Sequence, residues 1–440
     1  MRKVVLVTLI LVTVLITACK KQEAAGGQQQ AETKTKIALW HSMGGRNGEA
    51  LTRLINDFNA AQHTIELEGQ FQGSYDDAIA KLKTLDKGAG PDIMQLYDIG
   101  TRWAIDSGYT LRMQDFIDKD NYDISDYEAN ILAYYRMNGV LHSMPFNSSS
   151  PVIIYNKEAL ARAGLDPKTA FATMEDCLAA GRAIEAANPG MKGCFTNYSW
   201  VFEQLVSIQD RDLLDKGNGR QGRATEVVGG EALLNIFSKL RSIYSDSSHQ
   251  VFGKGGAESQ KQFAAGALGY FVESCAIYAG ATAAAEGKFT VGFAPLPRVN
   301  RDDTGGTSVG GGSLWIMDNA STQKADAAWE FIKYATGAEQ QAKWSMGTGY
   351  LPIRRSAVNL AEYQDFLKNT NPELIVAIES LRNSKPSCAG SVMGVFPKAR
   401  VIIENEVEIM ANDPRVGPQQ VVDRIVAQIN DEIALYNRTN

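Results

Sequence analysis

Histidine is scarce: 440 residues carry four, His41, His63, His142 and His249, in no spacing that would hold a metal ion. The patterns H-E-x-x-H, G-x-S-x-G and Walker A are also missing, so the common hydrolase, metalloprotease and nucleotide-binding readings lose their signatures. No enzyme activity, catalytic residue, cofactor or metal is expected. Positive charge is not concentrated either. Lys and Arg total 44 against 50 Asp and Glu, a net charge of −6, with no basic block or aromatic-basic stripe, so a nucleic-acid partner is not expected. The five cysteines contain no paired C-x-x-C signature. No internal repeat is found.

What is present begins at the N-terminus. Arg2-Lys3 precede an apolar or threonine-containing run from Val4 to Thr17, too short for a bilayer span and of the length of a signal-peptide core. Residues 1–18 are therefore expected to be removed. The run ends Leu15-Ile16-Thr17-Ala18-Cys19, which resembles a bacterial lipobox with Cys19 as the lipidated residue. The following residues to 35 are polar and aperiodic, and such a stretch cannot offset its ordering entropy by burial, so 19–35 read as anchor and flexible tether. The expected address is the periplasm or cell envelope, with lipid holding the protein to a membrane. Cys177, Cys194, Cys275 and Cys388 could pair in an exported protein, but their spacing does not say how.

The length favours two domains, and 44% hydrophobic with 21% charged residues is enough to build large cores. Ile37–Trp40 predicts a first strand, Leu51, Leu54, Ile55 and Phe58 a helix face, and the alternating Ile65 and Leu67 a second strand. Tyr75, Ile79 and Leu82 mark another helix, and Asp92–Tyr97 a third strand. The first lobe is thus expected to be a parallel sheet with helices on both faces, an α/β arrangement. Loops after the strands face a ligand in such a fold, which brings forward His41, Tyr75 and Asp98. His41 is equally readable as a structural residue. Asn138-Gly139 predicts a tight hairpin. Helices are expected at 157–164, 174–187, 200–208 and 230–246, and strands ending at Glu273-Ser274, over Phe289–Phe293 and over Ser313–Met317. The predicted division is 36–147 with 277–325 for one lobe and 148–276 with 326–440 for the other. Trp40, Trp329 and Trp344 are expected in the core, as are Val421, Ile425, Ile429 and Ile433, which repeat every four residues.

One stretch stands at the centre, Met144-Pro145-Phe146-Asn147-Ser148-Ser149-Ser150-Pro151 followed by Val152-Ile153-Ile154-Tyr155-Asn156-Lys157. Its first half predicts a polar turn between prolines and its second a β-branched strand crossing between domains. The glycine-rich 305–312 segment lacks a Lys-[Ser/Thr] ending and predicts a flexible loop or a close backbone approach. Arg400, in an apolar helix after glycine and proline, is either solvated or aims its planar fork at an anion.

The crossing stretch, with Ala163-Gly164-Leu165-Asp166-Pro167 after it, resembles the glycerol-3-phosphate-binding branch of the solute-binding proteins that serve ABC importers, extracellular solute-binding protein family 1. The likeness also runs through Leu39-Trp40-His41-Ser42-Met43, Gly73-Ser74-Tyr75, Tyr97-Asp98, Gly311–Trp315, Thr348-Gly349-Tyr350-Leu351-Pro352 and Arg400-Val401-Ile402. The resemblance implies a two-lobed periplasmic-binding-protein fold, each lobe a sheet flanked by helices, with ligand in the cleft between. It also implies ligand contacts at Tyr75, Asp98, Ser149, Ser274, Gly311, Tyr350 and Arg400. Hydroxyls, the Gly311 amide and the guanidinium would hold the phosphate ester, and Asp98, able only to accept when ionised, would take glycerol hydroxyls. Two departures matter: Asp98 stands where the family has glutamate, and Thr173-Met174 where it has Thr-Trp, which removes a stacking surface unless Trp200 supplies one.

The reading is a monomeric solute-binding lipoprotein that closes on glycerol 3-phosphate or a glycerophosphodiester, a small-molecule phosphate ester, and delivers it to ABC permease membrane subunits. The alternatives are a neutral-sugar receptor of the same fold and, from other classes, an adhesin or an enzyme on that fold.

Overall fold

The computed structural model describes residues 34–440 apart from 197, 254–255 and 320. The expected signal peptide, Cys19 and nearly all of the tether lie outside the described residues. The first described element is β1 (Thr35–His41). The helix Gly45–Ala61 follows, burying Leu51, Leu54, Ile55 and Phe58, then β2 (Ile65–Phe71), the helix Tyr75–Leu82 and β3 (Ile93–Tyr97). β1 pairs in parallel with both β2 and β3. β4 (Arg136–Met137) and β5 (Val140–Leu141) form the expected hairpin, with φ 48° at Asn138 and 80° at Gly139, values that suit this dipeptide.

The central stretch is two strands end to end, β6 (Met144–Ser149) and β7 (Pro151–Asn156), separated by Ser150 alone. The polar half is therefore strand and not turn. It is buried along its whole length because β11 (Gly310–Ile316), remote in sequence, pairs with it, and a distant partner overrides local turn chemistry. β6 completes a five-stranded sheet of order β2-β1-β3-β11-β6, whereas β7 enters a four-stranded sheet of order β10-β7-β9-β8. The latter also holds β8 (Lys192–Cys194), β9 (Leu268–Ser274) and β10 (Val291–Pro295).

The first sheet is mixed and not parallel throughout, since β11 runs antiparallel to both β3 and β6. The lobes also exchange chain differently from the expected division. β10 pairs with β7 in the second sheet although it falls within 277–325, and the return to the first sheet comes with β11. The helices Thr322–Ala335 and Ala338–Thr348, assigned to the second lobe, pack on β1 and on the helix Gly45–Ala61 of the first sheet. The C-terminal helices Phe396–Asn412 and Pro418–Thr439 pack together and against the helices Ser199–Ile208 and Gly230–Tyr244.

One core gathers Leu39, Ile93, Leu314 and Phe331 around the first sheet, and another gathers Ile153, Phe202, Tyr270, Ile425 and Ile429 around the second. The three tryptophans expected in the core, Trp40, Trp329 and Trp344, are buried. Cys177, Cys194, Cys275 and Cys388 are buried and unpaired, so no disulfide forms among them. Among the described residues no helix is long and apolar enough to cross a membrane.

Candidate functional site

Tyr75, Asp98, Ser149, Ser274, Gly311, Tyr350 and Arg400 all line one cleft of about 200 Å³, joined there by Tyr97, Tyr198, Trp200 and Glu273. A larger cavity of about 350 Å³, bounded by Phe116, Lys119, Asp318 and Ala325, holds none of the expected residues.

The side formed by the first sheet is neutral apart from Asp98. Tyr75 opens the helix Tyr75–Leu82, whose start is fixed by a capping box between Ser74 and Asp77. Its ring stacks on Tyr97 with centroids 5.0 Å apart, and its hydroxyl accepts from Asn147 Nδ2 at 3.1 Å. Behind it, Gln95 Nε2 donates to Asn147 Oδ1 at 2.8 Å and Gln95 Oε1 accepts from the Ser42 amide at 3.1 Å. This buried amide relay ties the loop after β1 to the Tyr75 hydroxyl. Ser149 ends β6, and Gly311 lies opposite Ser148 on β11. Gly311 has φ +96°, and a Cβ there would come within 1.9 Å of the Asn147 carbonyl oxygen. Only glycine allows the two strands to approach so closely. The glycine segment is thus a close backbone approach. Tyr350 follows the left-handed Gly349 and stacks on Trp344, centroids 5.9 Å apart.

Burial pushes the Tyr75 phenol well up and that of Tyr350 up to about 12, so both hydroxyls keep their protons and can donate to a ligand. Ser274 caps the short turn after β9, its Oγ accepting from the Ala276 amide at 3.2 Å.

The facing side carries the charge. Arg400 comes from the first turns of the helix Phe396–Asn412, which Pro397 starts. Its Nε and Nη2 donate to Glu203 Oε1 and Oε2 at 2.7 and 2.9 Å, a bidentate pair, and Nη2 also reaches Asp98 Oδ2 at 3.5 Å. Arg400 is neither solvated nor presenting a free fork. Although burial opposes its charge, Glu203 and Asp98 hold Arg400 protonated beyond the ordinary guanidinium range. Burial pushes Glu203 up to about 7 against the pull of Arg400, and raises Asp98 and Glu273 in the same sense.

Glu203 escaped the sequence reading. Its signal was there: an acid among Trp200, Val201, Phe202, Leu205 and Val206 on a buried helix must find a partner. Trp200 lines the cleft, and its Nε1 is buried with no hydrogen-bond partner among the described residues. Met174 is instead fully buried in the second core, and the indole that lines the cleft is that of Trp200. His41 lies outside the cleft: buried at the end of β1, its Nδ1 accepts from the Met43 amide at 3.3 Å.

The sequence profile for bacterial extracellular solute-binding proteins matches residues 53–371. The sn-glycerol-3-phosphate-binding periplasmic protein UgpB of Yersinia pseudotuberculosis is 28% identical over 415 residues, 92% of this chain and 94% of that protein. The protein of the same name from Escherichia coli O1:K1 is 28% identical over 421 residues, 93% of this chain and 95% of its own. Among solved structures, UgpB from Mycobacterium tuberculosis in complex with glycerophosphocholine superposes with a TM-score of 0.74 at 24% identity, over 92% of this chain and 100% of that one. The cyclic α-maltosyl-1,6-maltose binding protein of Arthrobacter globiformis gives 0.73 at 21% identity, over 91% and 99%.

Proposed function

Because this chain belongs to the bacterial extracellular solute-binding protein family, we propose that it is the receptor of an ABC importer that captures sn-glycerol 3-phosphate or a glycerophosphodiester. The observation that carries this reading is the convergence of the seven residues on one cleft, with a guanidinium on one wall and phenol and serine hydroxyls on the other. Protonated Tyr75 and Tyr350, the hydroxyls of Ser149 and Ser274 and the Gly311 amide are donors suited to phosphoryl oxygens. Arg400 adds a charge-assisted contact worth about 1.5–3 kcal/mol. Trp200 offers an apolar face and an unsatisfied N–H. No bond is made or broken.

Arg400 and Asp98 face each other from different lobes, and a ligand touching both walls favours the closed arrangement by its differential affinity for it. A permease that recognises the closed receptor then takes the solute. With the N-terminal lipid at Cys19, the receptor would work tethered at the membrane surface of the cell envelope.

A second reading, a neutral-sugar receptor, is favoured by one observation: the fork of Arg400 is already engaged by Glu203. Calorimetric titration of the purified protein with glycerol 3-phosphate, glycerophosphocholine and maltose separates the two. Binding of a phosphate compound without maltose supports the first reading, and maltose binding alone overturns it.

A further inference from the structure

We propose that Glu203 is a positioning residue that sets how much negative charge the cleft accepts, admitting a singly charged phosphodiester and resisting a doubly charged phosphomonoester. The inference rests on the phosphate-ester reading above and deepens it. Glu203 does not line the cleft; it acts from behind Arg400.

The geometry makes this case. Glu203 takes both Nε and Nη2 of Arg400, so only Nη1 remains without a partner among the described residues. A ligand thus meets one corner of the guanidinium, not its fork. The positive charge is matched at 2.7 Å by Glu203, while Asp98 stands 3.5 Å away and Glu273 lines the same cleft. Two carboxylates contact the guanidinium, and a third lines the cleft. The phosphate of a diester carries one negative charge across the neutral pH range, and in glycerophosphocholine the choline cation balances it. A monoester has a second ionisation near pH 6, by analogy with phosphoserine, and carries nearly two charges at pH 8. Among the described residues that line the cleft the second charge gains no second cation, and it meets Glu203 and Asp98 instead.

The groups facing Glu203 are Arg400 and Glu404 on the helix Phe396–Asn412, Asp98 after β3, and the phenols Tyr134 and Tyr198. Of these only Arg400 is cationic, so removing the Glu203 charge uncovers it.

The test titrates the purified protein, wild type and Glu203→Gln, with glycerol 3-phosphate and glycerophosphoglycerol, a diester that brings no cation of its own, at pH 8 and pH 6. Glutamine keeps the size and one acceptor for Arg400. Wild type is expected to bind the diester more tightly at pH 8 and to lose part of that preference at pH 6. Glu203→Gln is expected to close the gap by about tenfold or more, about 1.4 kcal/mol, mainly by gaining affinity for the monoester. Glu203→Asp, which keeps the charge, is expected to restore the preference.

A wild-type protein that favours the monoester overturns the proposal. So does a Glu203→Gln protein that folds and binds with the diester to monoester ratio unchanged, and in that case the phosphate-ester reading stands. If wild type binds neither ester, the reading itself falls and the inference with it.

Discussion

The two walls of the cleft solve the same problem differently. The first-sheet wall fixes Tyr75, Ser149 and Gly311 through neutral bonds: the Gln95–Asn147 relay and a strand pairing that only glycine permits. The facing wall holds Arg400 through ionic contacts to Glu203 and Asp98, with Glu273 close by. Neutral buried bonds resist pH and salt and present the same donors whatever arrives. Buried charges depend on each other, so changing one re-prices all of them. On the function proposed above, the first wall would set shape and the second would set which charge is welcome.

Arg400→Ala should break the comparison most severely. It removes the only cation that lines the cleft among the described residues and leaves Glu203 and Asp98 unpaired, at a stability loss of about 3–5 kcal/mol for an uncompensated buried charge. Chemical denaturation should show this loss, and calorimetry should show phosphate-ester binding weakened beyond detection. Gly311→Ala attacks the neutral wall. The added methyl cannot coexist with the Asn147 carbonyl at φ +96°, and a strained backbone position of this kind costs about 1–3 kcal/mol. A lower Tm together with weaker binding is the expected result.

Next in size is a pH effect confined to the ionic wall. Burial raises Glu203 from the ordinary glutamate range to about 7, so between those values the folded protein holds a proton that the unfolded chain has released. Its contribution to stability is present below the unfolded value and is lost as pH rises towards 7. Unfolding midpoints recorded from pH 4.5 to 8 should fall across that window, and the Glu203→Gln protein should lack this component. The smallest effect is expected for Tyr350→Phe. It deletes one neutral donor while the ring keeps its stack on Trp344, and such a bond is worth about 0.5–1.5 kcal/mol, so affinity should drop only several-fold.

What could be read from the sequence follows the same division. Elements specified by short-range periodicity, such as the alternation of β1, β2 and β3 with their helices, were legible because each residue's neighbours along the chain determine its face. β6 was misread as a turn since its partner β11 lies far along the chain, and the same remoteness concealed the antiparallel entry of β11 and the membership of β10 in the second sheet. The seven cleft residues came from family likeness and not from periodicity. That likeness could not supply the Glu203 pairing, because an ion pair between residues so distant in sequence leaves no local pattern. Motif position showed that no indole stands at 174, but not that Met174 is fully buried while Trp200, on another helix, lines the cleft.

Ser150, the single residue between β6 and β7, has a mechanical consequence. If the lobes swing about this point, each atom's travel grows with its distance from the pivot, as along a door. Ser149 sits beside the hinge pin and hardly moves, so its contact with a solute persists at every angle. On that premise the guanidinium of Arg400 would ride on the moving leaf, and its 3.5 Å approach to Asp98 would part as the leaf opens. Under the proposed function, capture and closure would then fall at different radii of one rotation: the inner contact would hold a solute during the swing, and the outer one would register that the swing is complete.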